Sequence, residues 1–143
     1  MYLDLPNDEA WEQDFSQPLI LSVDDDEDNL ILASCALELF GYRVISAADG
    51  ETALALIDRY PPSLILLDIV MPVLDGEALL DILKKHPKTA KIPIIAVTAL
   101  ASPDDREKLI QLGCDDYLSK PYLLEDLDLT VRRHLRLHQV SNR

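Results

Sequence analysis

The sequence predicts an α/β protein built on a doubly wound, five-stranded parallel sheet. Across residues 19–137, five short apolar segments of strand length alternate with five longer segments of helical periodicity. Two of the apolar segments, SLILLD at 63–68 and IPIIAVT at 92–98, are almost wholly hydrophobic, which is typical of strands covered by helices on both faces. Strands that alternate with helices form parallel sheets through right-handed crossovers, with helices on both sides.

Local signals define each element of the first half. Residues 19–23 (LILSV) form a short apolar run that ends at a cluster of acids. Apolar residues recur at helical spacing over 28–40, and the pattern stops at Gly41, a residue type that favours a helix end. The second strand is predicted over 43–47. The second helix is predicted over 50–60, because a pair of prolines follows it.

The second half repeats the alternation. The third strand, at 63–68, is followed by a predicted helix over 74–86. The fourth strand, at 92–98, is followed by a helix over 103–112, which has proline at its first position and glycine just after its last. The last two elements are a strand over 116–119 and a helix over 123–137.

Length and composition indicate one domain. The chain has 143 residues, 48% of them hydrophobic, and a formal net charge of −13. We predict an acidic arm over residues 1–18, a domain over 19–137 and a tail over 138–143. The negative charge argues against nucleic-acid and anionic-membrane partners. No apolar run approaches the ~20 residues of a membrane span, and the N-terminus lacks a basic signal-peptide region, so we expect a cytoplasmic protein.

Polar residues stand at the carboxyl ends of four predicted strands. The first strand runs into Asp24, Asp25 and Asp26, the third ends at Asp68, the fourth ends at Thr98, and the fifth runs into Lys120. In a doubly wound sheet these ends share one edge, where ligands bind. Carboxylates brought close together need a hard cation, and oxygen ligands suit Mg²⁺. We therefore predict a phosphoryl-transfer site in which Asp68 is the nucleophile and an acyl phosphate forms.

Four ordered motifs carry a family resemblance: VDDD at 23–26, LLDIVMPVLDG at 66–76, VTA at 97–99 and DYLSKPY at 116–122. With these motifs, the sequence resembles a response-regulator receiver domain of two-component signalling, over about residues 19–137. The resemblance implies a flavodoxin-like (βα)5 fold with strand order 2-1-3-4-5.

The resemblance also implies a role for each residue of the site. Asp68 is the implied phosphoacceptor. Asp25, supported by Asp24, is implied to bind Mg²⁺ together with Asp68 and the backbone carbonyl of Val70. Lys120 is implied to contact the phosphoryl group, and the peptide bond to the proline after it is usually cis in this family.

The implied switch residues are Thr98 and Tyr117. Thr98 shifts toward the phosphoryl group, and Tyr117 turns inward to fill the space. The implied phosphodonor is a phosphohistidine on a sensor histidine kinase or a histidine phosphotransfer protein. The face formed by the fourth helix, the fifth strand and the last helix then controls a downstream protein or self-association. We expect a single-domain switch that catalyses only its own phosphorylation and dephosphorylation.

Two alternatives remain from the residues alone. One is an interaction module that keeps the fold without accepting phosphate, although the acids, Thr98 and Lys120 argue against this loss of function. The other is a haloacid-dehalogenase-like phosphatase, but that class needs Thr or Val where Asp28 stands. A calcium loop is excluded, because Asn29 replaces the glycine of the turn and Cys35 replaces the bidentate glutamate. A flavin-binding protein is less favoured, because it would need a Ser-, Thr- or Gly-rich phosphate-binding loop after the first strand and the sequence has acids there.

The other reactive side chains are predicted to be structural. Cys35 and Cys114 lie in apolar segments without a metal-binding spacing, so we expect both to be buried as free thiols. His86, His134 and His138 stand near predicted helix ends, where we expect their rings to bind carbonyls.

We predict a long-lived phosphorylated state, because the residues two positions after the acceptor and two after the threonine, Val70 and Leu100, are both apolar. In the family these positions flank the path of the hydrolytic water, and neither side chain can hydrogen-bond it. The decay of phospho-Asp68, followed by intact mass, is expected to take minutes or longer. A lifetime of only seconds would contradict the hypothesis.

Overall fold

The fold was taken from a computed structural model, which describes residues 17–69, 76–99 and 102–141, with side chains described up to residue 135. All but two residues of the predicted acidic arm therefore lie outside the described residues. No helix in the described ranges is long and apolar enough to cross a membrane.

Strands and helices alternate throughout the described residues, as the sequence predicts. The strands are β1 Leu19–Val23, β2 Arg43–Ala47, β3 Leu64–Asp68, β4 Ile94–Thr98 and β5 Asp116–Ser119. The helices are α1 Glu27–Leu39, α2 Gly50–Arg59, α3 Gly76–Lys85, α4 Pro103–Leu112 and α5 Leu124–Ser141. All strand pairs are parallel, in the order β2-β1-β3-β4-β5. The predicted fold class and strand order are confirmed.

Most predicted boundaries agree with the structure within one residue, and the larger differences have local causes. Strand β4 begins at Ile94 rather than at residue 92, since Pro93 has no N–H group to donate to a neighbouring strand. Helix α5 continues to Ser141, because neither glycine nor proline interrupts the sequence after residue 137. Residues 138–141, which were predicted to be part of a tail, are therefore helical.

Two apolar layers cover the sheet. One layer joins one face of the strands to α2, α3 and α4, and the other joins the opposite face to α1 and α5. Strands β1, β3 and β4 are buried at every position. A fully buried Leu or Ile stabilises the fold by about 1.5–3 kcal/mol relative to an exposed one. These layers therefore supply the free energy that holds polar residues at the strand ends.

Side-chain caps begin three of the helices. Asp26 caps α1, Asp49 caps α2 and Ser102 caps α4, and in each case the side-chain oxygen accepts a hydrogen bond from a backbone N–H group of the first turn. Such a cap contributes about 1 kcal/mol. The cap at Asp26 also separates the roles of the acidic cluster, because this carboxylate serves the helix while its two predecessors face the sheet edge.

A half-buried lysine joins several segments at the amino edge of the sheet. The Lys84 Nζ donates to the carbonyls of Ala90 and Ile92 at 3.3 and 2.9 Å, and it lies 2.9 Å from Asp115 Oδ2. The same Asp115 oxygen accepts a hydrogen bond from the Ile94 N–H group at 2.8 Å. This network connects α3 to the beginnings of β4 and β5.

The two cysteines differ in environment, which the sequence did not predict. Cys114 is buried, and burial, followed by the negative charges of Asp115 and Asp116, raises the pKa of its thiol to about 11. Cys35 is exposed, so the prediction that it is buried is wrong. Cys35 is not among the residues of α1 that are buried against the sheet, which are two leucines and two alanines: Leu30, Ala33, Ala36 and Leu37.

The predicted role of the histidines is also wrong where the side chains are described. The Nε2 atom of His134 lies 2.9 Å from Asp116 Oδ2, because α5 continues past this residue and leaves no free carbonyl there. The Nδ1 atom of His86 accepts a hydrogen bond from the Lys88 N–H group at 3.2 Å. The side chain of His138 lies outside the described residues.

A pair of glycine substitutions tests the packing at the Lys84 network. Gly41 and Gly113 have φ angles of +96° and +107°, a region that L-residues rarely adopt. Gly41→Ala is expected to lower the free energy of unfolding by about 1–2 kcal/mol, since nothing lies within 4 Å of the added Cβ. Gly113→Ala is expected to cost more, because its Cβ would meet Lys84 Cγ at 2.9 Å. Urea unfolding, followed by circular dichroism, measures the free energy of unfolding of both variants. An equal decrease in the two variants would contradict the predicted clash between the added Cβ and Lys84.

Candidate functional site

Three aspartates meet at the carboxyl edge of the sheet. Asp24 and Asp25 follow β1, and Asp68 is the last residue of β3, which is hydrogen-bonded to β1. One carboxylate oxygen of each lies within 4.8 Å of those of the other two. Asp24 and Asp68 are only 7% and 6% exposed, whereas Asp25 is exposed. The structure thus brings together the acids that the sequence singled out.

Backbone hydrogen bonds hold the two buried acids in place. The Asp24 N–H group donates to the carbonyl of Ala47 at the end of β2. Its carboxylate accepts a hydrogen bond from the Asp26 N–H group at 2.9 Å. After Asp68, the Ile69 N–H group donates to the Val97 carbonyl of β4. The carboxylates are therefore fixed by the sheet and by the start of α1.

Lys120 bridges the two buried acids. Its Nζ lies 3.3 Å from Asp24 Oδ2 and 3.6 Å from Asp68 Oδ1, so it is slightly nearer to Asp24. Burial lowers the pKa of Lys120, but the attraction of the two carboxylates outweighs this effect and the pKa is raised. The amine therefore stays charged at neutral pH. The Lys120–Pro121 peptide bond is cis, as the resemblance implies.

Thr98 and Tyr117 lie on the same side of the sheet. Thr98 is fully buried at the end of β4, and its carbonyl accepts a hydrogen bond from the Lys120 N–H group at 2.9 Å. In the register of β4 and β5, Tyr117 is opposite Ala96, two residues before Thr98. Side chains two residues apart point to one face of a strand. The backbone of Thr98 therefore connects the acidic site to the strand that carries Tyr117.

Arg106 of α4 stacks on Tyr117, a contact that sequence reasoning missed. Its guanidinium carbon lies 4.7 Å from the centre of the half-buried ring. Such a cation–π contact contributes about 0.5–1 kcal/mol at exposed sites. No local signal indicates it, because the partners are on different elements. The two residues are eleven positions apart in the sequence, a spacing that does not by itself predict a contact.

A cavity of about 520 Å³ opens beside Asp68 and Lys120. Its walls are mainly apolar and include Leu32 of α1 and Tyr122 after β5. Burial raises the pKa of Tyr122, and this outweighs the opposing effect of Lys120, so the phenol stays neutral. Tyr122 is the last residue of the motif at 116–122, but the sequence did not predict a role for it.

Two predicted positions of the site, Val70 and Leu100, lie outside the described residues. The Val70 carbonyl therefore stays a predicted ligand. The described residues on either side of positions 70–75 are close together, since the Gly76 N–H group donates to the Ile69 carbonyl at 2.9 Å. A Cβ on Gly76 would lie under 3.0 Å from backbone atoms of Asp68 and Ile69. Helix α3 thus begins in direct contact with the backbone of the candidate phosphoacceptor.

The ligand set fits a hard divalent cation. Asp24, Asp25 and Asp68 offer oxygen atoms only, and Lys120 balances one of their three negative charges. Oxygen ligands with an exposed side that can keep several waters are what Mg²⁺ prefers, whereas softer metals favour imidazole and thiolate. The residues present can therefore hold Mg²⁺ at this edge.

Comparisons with known proteins agree with this geometry. The model of the response regulator receiver domain matches residues 20–132. Chemotaxis protein CheY4 of Vibrio cholerae is 30% identical, with a TM-score of 0.78 over 82% of this chain and 98% of that protein. The receiver domain of Francisella response regulator 1452 is 33% identical, with a TM-score of 0.79 over 84% and 98% of the two chains. The same solved receiver proteins thus resemble this chain in both sequence and fold.

Curated relatives are longer. A probable transcriptional regulator, ycf27, of Porphyridium aerugineum is 41% identical over 82% of this chain and 48% of its own length. The DNA-binding dual master transcriptional regulator RpaA of Synechocystis is 40% identical over 83% and 49%. This chain thus spans about half the length of these relatives. Because they include DNA-binding regulators, the comparisons do not support the expectation, based on charge, that nucleic acid is not a partner.

Receiver domains are generally signalling modules rather than enzymes, even though one relative, a probable cyclic di-GMP phosphodiesterase of Vibrio cholerae, is 39% identical over 28% of its length. The fold, the strand order and the matches over residues 20–132 lead to one conclusion. The chain belongs to the family of response-regulator receiver domains of two-component signalling.

Proposed function

We propose that this protein is a phosphorylation-dependent signalling switch in which Asp68 accepts a phosphoryl group from a phosphohistidine. The observation that carries the proposal is the position of Asp68, a buried carboxylate within 4.8 Å of two other carboxylates and 3.6 Å from Lys120. The donor would be a sensor histidine kinase or a histidine phosphotransfer protein, as in the family.

The proposed transfer is a substitution at phosphorus. A carboxylate oxygen of Asp68 attacks the phosphorus atom, the P–N bond to the donor imidazole breaks, and the imidazole leaves with that electron pair and takes up a proton. Asp68 then carries an acyl phosphate. Lys120, already charged and beside Asp68, donates to a phosphoryl oxygen, and the hydroxyl of Thr98 donates to another. Bound Mg²⁺ would supply further positive charge toward the phosphoryl oxygens.

The proposed output surface is the face formed by α4, β5 and α5. In the described state, Asp116 of β5 contacts His134 and Arg133 of α5 at 2.9 and 3.4 Å, and Tyr117 stacks against Arg106 of α4. A phosphoryl group that attracts Thr98 would favour the inward position of Tyr117 and thereby change its contact with α4. Phosphorylation shifts the population of this face, which then binds a downstream protein or a second copy.

Phosphorylation by a small donor tests the identity of the acceptor. Incubation with acetyl phosphate and Mg²⁺ is expected to add one phosphoryl group, measured by intact mass. Asp68→Asn is expected to abolish the gain, while Asp104→Asn, a change of an exposed acid in the first turn of α4, retains it. Uptake that persists in Asp68→Asn would contradict the assignment. No uptake by folded wild-type protein would favour the phosphorylation-independent interaction module.

Thermal unfolding tests the metal site without any phosphodonor. A ligand at 100 times its Kd stabilises the folded state by about 2.7 kcal/mol, so Mg²⁺ is expected to raise the Tm of the wild type. Asp25→Asn is expected to lose most of this increase, and the variant is expected to fold because Asp25 is exposed. Asp104→Asn is again the matched control. An equal response of Asp25→Asn and wild type would contradict the proposed ligand set.

A further inference from the structure

A second surface lies at the amino edge of the sheet, opposite the acidic site. It is a groove of about 290 Å³ between α2 and α3, which we name the α2–α3 groove. Ile82, which is 43% exposed, forms part of its wall. The other apolar residues that line it are Leu54, Ile57, Pro61, Leu83 and Ile92.

The rim of the α2–α3 groove is basic, although the chain as a whole is acidic. The segment KKHPKTAK at 84–91 contains four lysines and no acid, in a chain whose formal charge is −13. Lys84 and Lys85 already pair with acids. Lys88 lines the groove and Lys91 lies close to it in sequence, and among the described residues no acid lies within ion-pair distance of either. Asp58 of α2 also lines the groove, so its charged lining is mixed. The groove thus offers apolar walls, with positive charge concentrated at the end formed by residues 84–91.

The first described residues of the chain lie at the same edge of the sheet as this groove. The Pro18 carbonyl accepts a hydrogen bond from the Arg43 N–H group at 3.0 Å, and the Ser63 N–H group donates to the Leu19 carbonyl at 2.7 Å. Ser63 is two residues from Pro61, which lines the groove. Gln17 and Pro18, the first described residues, therefore lie at the same edge, where both carbonyls accept hydrogen bonds from Arg43 of β2.

We propose that the N-terminal arm of the same chain binds in the α2–α3 groove. Residues 1–16 contain five acids, no base and three aromatic residues, of which Trp11 and Phe15 lie nearest to the described chain. The aromatic rings would contact the apolar walls, and the acids would pair with Lys88 and Lys91. Phe15 and Trp11 lie three and seven residues before Pro18, so an extended chain of about 3.3–3.6 Å per residue reaches roughly 10 and 24 Å.

Charge favours this groove over two other exposed apolar surfaces. Helix α1 exposes Leu32 and Leu39, but it contains no base and begins with two acids. The first turn of α5 exposes Leu124 next to two further acids. An acidic arm would be repelled at both places. Tethering also favours the arm over a free partner, because it keeps the local concentration of the arm high.

Fluorescence of the full chain tests the proposal directly, because Trp11 is its only tryptophan. In the wild type, Trp11 is expected to emit at shorter wavelength than a free tryptophan amide and to be partly protected from acrylamide. Ile82→Glu, which places a negative charge in the groove, is expected to shift the emission to longer wavelength and raise the quenching constant. Leu129→Glu, an equally drastic change at an exposed leucine of α5, is expected to leave both unchanged.

Charge reversal at the rim gives a second test that does not alter the apolar wall. Lys88→Glu together with Lys91→Glu changes two exposed residues and is expected to expose Trp11, and high salt is expected to weaken binding in the wild type. Circular dichroism checks that each variant is folded. Wild-type emission equal to that of the free amide would overturn the proposal, as would an emission shift that grows with protein concentration, which would assign the groove to the arm of a second copy.

Discussion

The electrostatic balance between Lys120 and the aspartates at the strand ends is the interaction on which the site depends. Asp24 and Asp68 are almost fully buried, and a buried carboxylate is strongly destabilising unless it is paired. Lys120 contacts both and stays charged, because their attraction outweighs the effect of its burial on its pKa. With Asp25 nearby, negative charge still exceeds positive charge. This excess of negative charge suits the edge to bind a cation, and the proposed phosphoryl transfer depends on it.

The same lysine links this balance to the rest of the sheet. Its side chain contacts the acids, while its backbone N–H group donates to the Thr98 carbonyl. Three residues earlier, on β5, Tyr117 packs under Arg106. A change in charge at Asp68 therefore acts on a lysine that directly follows β5, the strand between α4 and α5. A long relay of side chains is not needed to connect the acidic edge with the proposed output surface.

Helix α3 connects the two edges of the molecule. It begins at Gly76, in close contact with the backbone of Asp68, and ends at Lys85, beside the α2–α3 groove. Ten helical residues span about 15 Å. Lys84, near the end of the helix, is fixed by carbonyl groups and by Asp115. An arm bound in the groove would therefore contact the helix whose opposite end packs against the candidate phosphoacceptor.

Sequence by itself determined the alternation of strands and helices, the burial of β3 and β4, and the set of acids, because these depend on local apolar patterns and on where each strand ends. The strand order came from the family motifs rather than from the pattern. Only the tertiary structure decided that Lys120 lies nearer to Asp24 than to Asp68, that Arg106 stacks on Tyr117 and that Cys35 is exposed. Such contacts depend on sheet register and on the rotation of each helix over the sheet, which residues far apart in the chain set together.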